Sequence, residues 1–288
     1  MSDWDVLTPQ NLSELHEMLS LPSRKLIAGG TDLIPRLHRA RIDEPVELID
    51  MSRLSELHFI RENAGQIEIG ALVAHTTLFT SPLLLQCAPA LSKACGSIGS
   101  PQTRARGTLG GNLVNASPAA DSAPPLLCLN TTALISGPAG QRQVALADFF
   151  CGPGRTCLQP GEYLHSLRFA APAGRWGMAF AKLGRRNGMA IAVVSTCVYL
   201  ELGSSGRIDT IRIAMGSVAP TPVRCPQAEA AFQGAQPAVE TFDLAAAALI
   251  ADISPIDDLR ASKEYRLQTA QVLLKRVLAD AARQTENR

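Results

Sequence analysis

The chain has 288 residues, enough for two ordinary domains, and its composition, 46% hydrophobic and 18% charged, is typical of a soluble globular protein. Its 27 Lys and Arg residues balance 26 Asp and Glu residues, which argues against a nucleic-acid-binding protein, because such proteins carry a basic excess. No apolar run is long enough to cross a bilayer, and residues 1–8 lack a basic-then-apolar signal sequence. We therefore expect a cytoplasmic protein without a membrane span.

The cysteines and histidines do not form metal-binding patterns. The seven cysteines are odd in number and no two have C-x-x-C spacing, which thiolate-ligated zinc and iron–sulfur sites usually show. The five histidines are scattered along the chain. We predict reduced, mostly buried thiols and no metal site.

The N-terminal third predicts alternating helices and strands. Asn11 and Glu14 have the spacing of a capping box, which predicts a helix ending near Ser20. The predicted strands are 26–28, 46–49, 56–61 and 66–69, with a turn at Asn63-Ala64-Gly65 between the last two. The predicted helices are 33–40, a short one capped by Thr76, and one from Pro82 towards Ala94.

Residues 95–125 have a different character, because Gly, Ser, Ala, Pro, Asn and Thr dominate and charge is sparse. A long stretch without clear periodicity is usually functional or disordered. Disordered segments are normally highly charged, so we predict an ordered binding loop. Strands are predicted after it at 133–135, 143–146 and 163–169, with a second glycine-containing loop at 149–156.

Residues 170–174 are typical of a domain boundary. The pattern beyond it predicts three strands, at 178–183, 191–200 and 208–218, with a hairpin turn at 203–206. Helices are predicted at 227–232, 244–251 and 262–283. Strands followed by helices indicate an α+β domain with a three-stranded sheet.

Two segments carry adjacent glycines. In the first, Gly29-Gly30-Thr31-Asp32 follows a strand and precedes a helix, so its N–H groups could converge on an anion. Taken alone, this segment is more typical of an ordinary turn between a strand and a helix than of an anion-binding turn. In the second, Gly107-Thr108-Leu109-Gly110-Gly111-Asn112 offers glycines beside hydroxyl and amide groups, and a surface loop is its alternative. Two such loops could clasp one diphosphate-containing cofactor from both sides.

These segments in this order resemble the FAD-binding, or medium, subunit of the molybdenum hydroxylases, which include xanthine and carbon monoxide dehydrogenases. The resemblance rests on 28–33, on 108–112 with Ser117-Pro118 and Asp121, and on 152–156. It implies an α+β protein with a two-part FAD-binding domain of the vanillyl-alcohol-oxidase type, residues 1–172, divided into 1–54 and 55–172. A C-terminal α+β domain, residues 175–288, follows.

The resemblance also implies roles for individual residues. The first glycine segment would wrap the FAD diphosphate, and the second would hold the diphosphate from the other side. Asp121 would hydrogen-bond to the cofactor. Ile98, Gly99 and Leu164 match positions against the flavin ring, and Lys182 matches a lysine near the cofactor, where it could stabilise negative charge. The diphosphate residues are Ile27, Ala28, Gly29, Gly30, Thr31, Asp32 and Leu33 in the first segment, and Thr108, Gly110, Gly111 and Asn112 in the second.

The implied partners are a subunit with two 2Fe-2S clusters and a large molybdenum-cofactor subunit, with NAD+ or another molecule as electron acceptor. A self-contained FAD-dependent oxidoreductase is the alternative, but it needs a proton donor beside the flavin, and the C-terminal half offers no convincing candidate. A non-catalytic binding protein is disfavoured by the intact glycine loops. No histidine is near either glycine pair in the sequence, so covalent flavin attachment through histidine is not expected.

Overall fold

The computed structural model describes residues 4–21, 24–40, 47–232 and 234–286. Within these ranges the chain forms fourteen β-strands and twelve α-helices. The strands are β1 (Val6–Leu7), β2 (Arg24–Ile27), β3 (Glu47–Asp50), β4 (Ile60–Asn63), β5 (Gln66–Gly70), β6 (Thr132–Gly137), β7 (Gly140–Ala145), β8 (Phe150–Gly152), β9 (Arg155–Thr156), β10 (Tyr163–Ala170), β11 (Arg175–Gly184), β12 (Ala192–Leu202), β13 (Ile208–Gly216) and β14 (Val223–Arg224).

The helices are mostly short, except the last. They are α1 (Leu12–Leu19), α2 (Leu33–Ala40), α3 (His75–Thr80), α4 (Pro82–Cys87), α5 (Pro89–Gly96), α6 (Pro101–Arg106), α7 (Leu109–Val114), α8 (Ala123–Cys128), α9 (Leu146–Phe149), α10 (Pro226–Ala230), α11 (Val239–Ala248) and α12 (Lys263–Thr285). Within the described residues, none of them is long and apolar enough to cross a bilayer.

The N-terminal sheet is parallel, with the strand order β1-β3-β2. It confirms the predicted helix–strand alternation and adds β1, which is too short to give a periodic signal. Asn11 caps α1 as predicted, since its side chain accepts a hydrogen bond from the amide of Glu14. Val46, the predicted start of β3, lies outside the described residues. Because β2 is at the edge of this sheet, the chain that follows its carboxyl end can contact the second sheet.

The second sheet is antiparallel, in the order β4-β5-β10-β6-β7. The predicted turn is confirmed, with Ala64 and Gly65 at positive φ. The predicted strand 56–61 is wrong at its start, because Ser55–Leu57 forms a 3-10 turn and β4 begins only at Ile60. That turn buries Leu57 and places its carbonyl against Gly70.

Short helices replace several features predicted between residues 75 and 128. Thr76 lies inside α3 and does not cap it, since the N-cap residue is Ala74. The helix predicted from Pro82 to Ala94 is two helices, because Pro89 disfavours helical backbone angles at the preceding Ala88. The predicted loop 95–125 contains α6, α7 and the start of α8. Helices of one or two turns are too short for a hydrophobic period to show.

The C-terminal sheet is antiparallel, in the order β11-β12-β13-β14. The prediction of three strands missed β14, a two-residue edge strand that pairs with Ala214 and Met215. Both faces of the sheet are covered. Met178 and Phe180 of β11 pack into the same core as α5 and α8, while Ala179 packs into the core that contains α12. This alternation is what a strand with a period of two residues gives.

The sheet joins the N-terminal and C-terminal parts of the chain through a continuous core. The thiol of Cys128 at the end of α8 donates to the carbonyl of Cys197 on β12, 3.3 Å away. Arg212 of β13 in turn donates to the carbonyl of Cys128 at 2.9 Å. Five of the seven cysteines are buried, which confirms the prediction of mostly buried thiols.

We predict that Gly177→Ala destabilises the protein by about 1–3 kcal/mol, the usual cost of overpacking a core. An ideal Cβ at Gly177 would lie 1.9 Å from the carbonyl oxygen of Ala281 in α12, so helix and sheet must separate. Urea denaturation followed by circular dichroism measures the change. Gly188→Ala is the control, because residue 188 is exposed and has no heavy atom within 4 Å of its ideal Cβ. Equal midpoints for the two variants would contradict this packing.

Candidate functional site

A cavity of about 580 Å³ lies where the N-terminal sheet meets the second sheet and its helices. Its wall is built from the turn after β2, the chain after β5, the segment around α7 and the start of β10. Gly154 and Ile191 contribute single residues from the β8–β9 hairpin and from the β11–β12 connection. A volume of about 300–1,000 Å³ is usual for sites that take cofactors.

The first glycine pair presents unpaired amides to this cavity. Gly30 has a φ of +72°, a left-handed conformation that favours glycine. Among the described residues, the N–H groups of Gly29, Gly30, Thr31 and Asp32 have no hydrogen-bond partner. Successive free amides at the start of a helix form an anion-binding concavity.

The two glycine segments touch each other directly. An ideal Cβ at Gly29 would lie 1.8 Å from the carbonyl oxygen of Arg106, and one at Gly107 would lie 3.3 Å from Thr31 Oγ1. Side chains at these two glycines would push the segments apart. The segments therefore form adjacent parts of one wall.

The second glycine pair does not present its amides to the cavity, contrary to expectation. Gly110 donates its N–H to the carbonyl of Ala71 at 2.8 Å, and Gly111 donates to Thr108 Oγ1 at 3.1 Å. A Cβ at Gly110 would lie 2.7 Å from the Cβ of Ala71. Gly110 is therefore required for close packing against the chain after β5, and Thr108 caps α7.

Thirteen of the sixteen predicted site residues line the cavity. They are Ile27, Ala28, Gly29, Gly30, Thr31, Asp32, Leu33, Ile98, Thr108, Gly110, Gly111, Asn112 and Leu164. The other three, Gly99, Asp121 and Lys182, lie outside this lining. Gly99 has a φ of +50°, and its ideal Cβ would lie 2.8 Å from the side chain of Thr103, so it shapes the turn that places Ile98.

Asp121 and Lys182 form a buried ion pair behind the wall. Lys182 Nζ lies 2.5 Å from Asp121 Oδ2 and 3.2 Å from the carbonyl of Ser97, the residue before Ile98. On the other side, Ser122 donates to Asn112 Oδ1, which lines the cavity. Burial raises the pKa of Asp121 to about 6, although Lys182 opposes the shift. The second oxygen, Oδ1, is buried and has no hydrogen-bond partner in the part of the chain that the structure describes.

The cavity also contains residues that sequence reasoning missed. His75 lines the wall and its ring lies against Gly107, which corrects the expectation that no histidine is beside either glycine loop. Glu162 lines the wall at the start of β10 and accepts two hydrogen bonds from Arg142, which hold its pKa below the usual value. No local motif marks either residue, because tertiary packing brings them to the cavity.

The chain matches two known families over most of its length. Residues 2–171 match the family described as "FAD binding domain in molybdopterin dehydrogenase", and residues 178–281 match "CO dehydrogenase flavoprotein C-terminal domain". The xanthine dehydrogenase FAD-binding subunit of Escherichia coli O157:H7 is 34% identical over 262 residues, which cover 90% of this chain and 89% of the relative. The carbon monoxide dehydrogenase medium chain of Hydrogenophaga pseudoflava is 34% identical over 254 residues, 88% of each chain.

Solved structures agree with the sequence comparisons. A chain of the Hydrogenophaga pseudoflava carbon monoxide dehydrogenase, in a form that lacks the Mo-pyranopterin moiety, superposes with a TM-score of 0.92 at 34% identity, over 98% of both chains. Quinoline 2-oxidoreductase from Pseudomonas putida 86 gives a TM-score of 0.90 at 31% identity, also over 98% of both chains.

The fold and the comparisons define an FAD-binding flavoprotein of mixed helix and strand content. The chain belongs to the FAD-binding medium subunits of molybdenum hydroxylases of the xanthine dehydrogenase and carbon monoxide dehydrogenase type. It is thus a subunit of an oxidoreductase, as the sequence resemblance implied.

We predict that Lys182→Met destabilises the protein at pH 8 by about 3–5 kcal/mol, the usual cost of leaving one member of a buried pair uncompensated. The loss shrinks as the pH falls towards 5. A buried carboxyl whose pKa is raised above its unfolded value binds a proton in the folded state first, so acid removes the buried charge.

Urea denaturation at both pH values measures this loss. The double variant Asp121→Asn/Lys182→Met is the control, since it removes both charges and should be more stable than the single variant at pH 8. A loss that is the same at both pH values would count against an isolated buried charge at Asp121.

Proposed function

We propose that this chain is the electron-relay subunit of its complex, and that the cavity between its two glycine segments holds FAD. Electrons would travel from the molybdenum cofactor of a large partner subunit, through the 2Fe-2S clusters of a small partner subunit, to FAD. They would leave to NAD+ or another acceptor. The observation that carries the proposal is the set of four free amides at 29–32 in the cavity wall. The cytoplasmic location expected from the sequence stays a prediction.

The residues present fit a flavin dinucleotide. Unpaired amides and the start of α2 suit the diphosphate, because they supply positive potential without lysines. The hydroxyl of Thr31 and the amide of Asn112 lie on the same wall and can donate to cofactor oxygens. Ile98 and Leu164 supply apolar surface for a flat aromatic ring. When bound, FAD supplies redox chemistry that no side chain provides.

The sixteen predicted residues divide into two groups in this proposal. The thirteen that line the cavity would contact FAD directly. Asp121 and Lys182 would act from behind the wall, where their charges would change the electrostatic potential near the flavin ring. Gly99 would hold Ile98 in place. In this assignment the second glycine pair contributes shape and close packing, and the first contributes hydrogen bonds.

We infer the same division of the chain as from the sequence, with FAD held by residues 1–172 and with 175–288 forming the C-terminal domain. Two residues of the cavity lining lie on either side of the division: Leu164 precedes it and Ile191 follows it. The buried contacts between α8 and β12 fix the second part against the first. A site that draws on both parts excludes water from the ring better than either part could.

We predict that Gly30→Ala weakens FAD binding by about 10- to 100-fold, the equivalent of about one hydrogen bond to a charged group. Its Cβ would lie 3.2 Å from side-chain atoms of Ile27 and Ile34, and φ is +72°, so the turn must change and the amides diverge. Flavin fluorescence quenching on the full-length chain measures the affinity.

Gly65→Ala is the matched control, because Gly65 has a φ of +74° and, apart from its chain neighbours, no heavy atom of the described residues lies within 4 Å of its ideal Cβ. Both variants carry about 1 kcal/mol of left-handed strain, and only one of them is in the cavity. Equal FAD affinity in the two variants would refute the cavity assignment.

The relay itself is tested on the native complex. The complex is reduced photochemically without oxygen and then mixed with NAD+, while the optical spectrum follows reoxidation of the iron–sulfur clusters. We expect fast reoxidation in the wild type and slow reoxidation in a Gly30→Ala complex that lacks FAD. Equal rates would show that electrons leave without this subunit. Turnover of an added organic substrate by the isolated, FAD-loaded chain would instead support a self-contained flavoenzyme.

A further inference from the structure

His75 lies at the cavity, although no motif in the surrounding sequence marks it as a binding residue. It is the first residue of α3, and its amide donates to the carbonyl of Gly107 at 3.0 Å. An antiparallel bridge between Ala74 and Thr108 adjoins this bond. The backbone of His75 is thus tied to the second glycine segment, and its side chain lies at the cavity.

The imidazole is buried without a hydrogen-bond partner in the described part of the chain. The residue is 2% exposed, and Nδ1 is enclosed and unpartnered. Burial, and to a smaller extent the charge of Arg104 on α6, lower the pKa of His75 to about 4. The ring is therefore neutral near pH 7. A buried polar atom without a partner costs about 1–3 kcal/mol, and the protein bears this cost at Nδ1, which is enclosed.

The ring is also close to the free amides of the first segment. An ideal Cβ at Gly107 would lie 3.3 Å from His75 Cδ2 and 3.3 Å from Thr31 Oγ1. The imidazole and the Thr31 hydroxyl therefore flank the same glycine, next to the four unpaired N–H groups. Because Nδ1 is enclosed, Nε2 is the ring nitrogen left to face a ligand.

We propose that His75 is an FAD-binding residue whose Nε2–H donates a hydrogen bond to an oxygen of the cofactor diphosphate. The inference rests on the proposed assignment of the cavity to FAD. A neutral imidazole has one N–H donor, and a phosphate oxygen strengthens the bond because it is charged. The donor would add to the amides of residues 29–32. Because the backbone of His75 is bonded to Gly107, this donor would lie beside the second glycine segment, where the amides of Gly110 and Gly111 are occupied.

The test compares His75→Phe with His75→Gln in the full-length chain, with FAD and ADP as probes. Phenylalanine keeps the ring and removes the donor, so FAD and ADP affinity should each fall about 10- to 100-fold. Glutamine carries an amide nitrogen close to the position of Nε2, so it should restore most of the affinity. His165→Phe is the matched control, because Nδ1 of His165 is also buried and unpartnered but the residue does not line the cavity.

Several results would overturn the proposal. Wild-type affinity in His75→Phe, or a loss for FAD with none for ADP, would show that His75 does not contact the diphosphate. If His75→Phe does not fold, nitrogen NMR of the wild-type imidazole decides the question. A shift of the Nε2 resonance on addition of ADP supports the bond, and no shift excludes it. Failure of the cavity assignment is distinguishable, since Gly30→Ala would then also keep full FAD affinity.

Discussion

The site depends on one close approach between two stretches of main chain. Gly29 lies so near the carbonyl of Arg106 that a Cβ would be placed 1.8 Å from its oxygen. Glycine there lets the turn after β2 and the segment before α7 form one continuous wall. As a result, the hydroxyl of Thr31 and the imidazole of His75 both lie close to Gly107. The cavity exists because two backbones meet where side chains are absent.

The two glycine pairs look equivalent in the sequence and act differently in the structure. Gly29 and Gly30 leave their N–H groups free, because no carbonyl of the described chain, including that of the neighbouring Arg106, accepts a hydrogen bond from them. Gly110 and Gly111 begin a helix already bonded to Ala71 and to the capping Thr108. One pair therefore offers donors to the cavity, while the other permits dense packing behind the cavity wall.

The C-terminal part contributes a buried charge, that of Lys182, behind the cavity wall. Lys182 on β11 reaches across to Asp121, which follows α7 in the first part, and both charges are withdrawn from water. A charged pair in a low-dielectric region is felt at longer range than the same pair on the surface. The shared core around α8 keeps that pair at a fixed distance from the cavity wall.

The sequence by itself determined much of the architecture: the helix capped by Asn11, the glycine turn after β2, the three long C-terminal strands and α12, whose apolar residues keep helical spacing. These features are local, since capping, period and turn chemistry act within a few residues. Together with the ordered motifs, they also identified the family.

Only the tertiary structure decided the helices within 95–125, the added strand β14, the occupied amides of Gly110 and Gly111, and the place of His75 in the cavity. Each of these depends on contacts between residues distant in the chain. The sequence could show that two glycine segments exist. Whether their N–H groups are free depends on which carbonyls the folded chain brings within hydrogen-bonding distance, and local patterns do not contain that information.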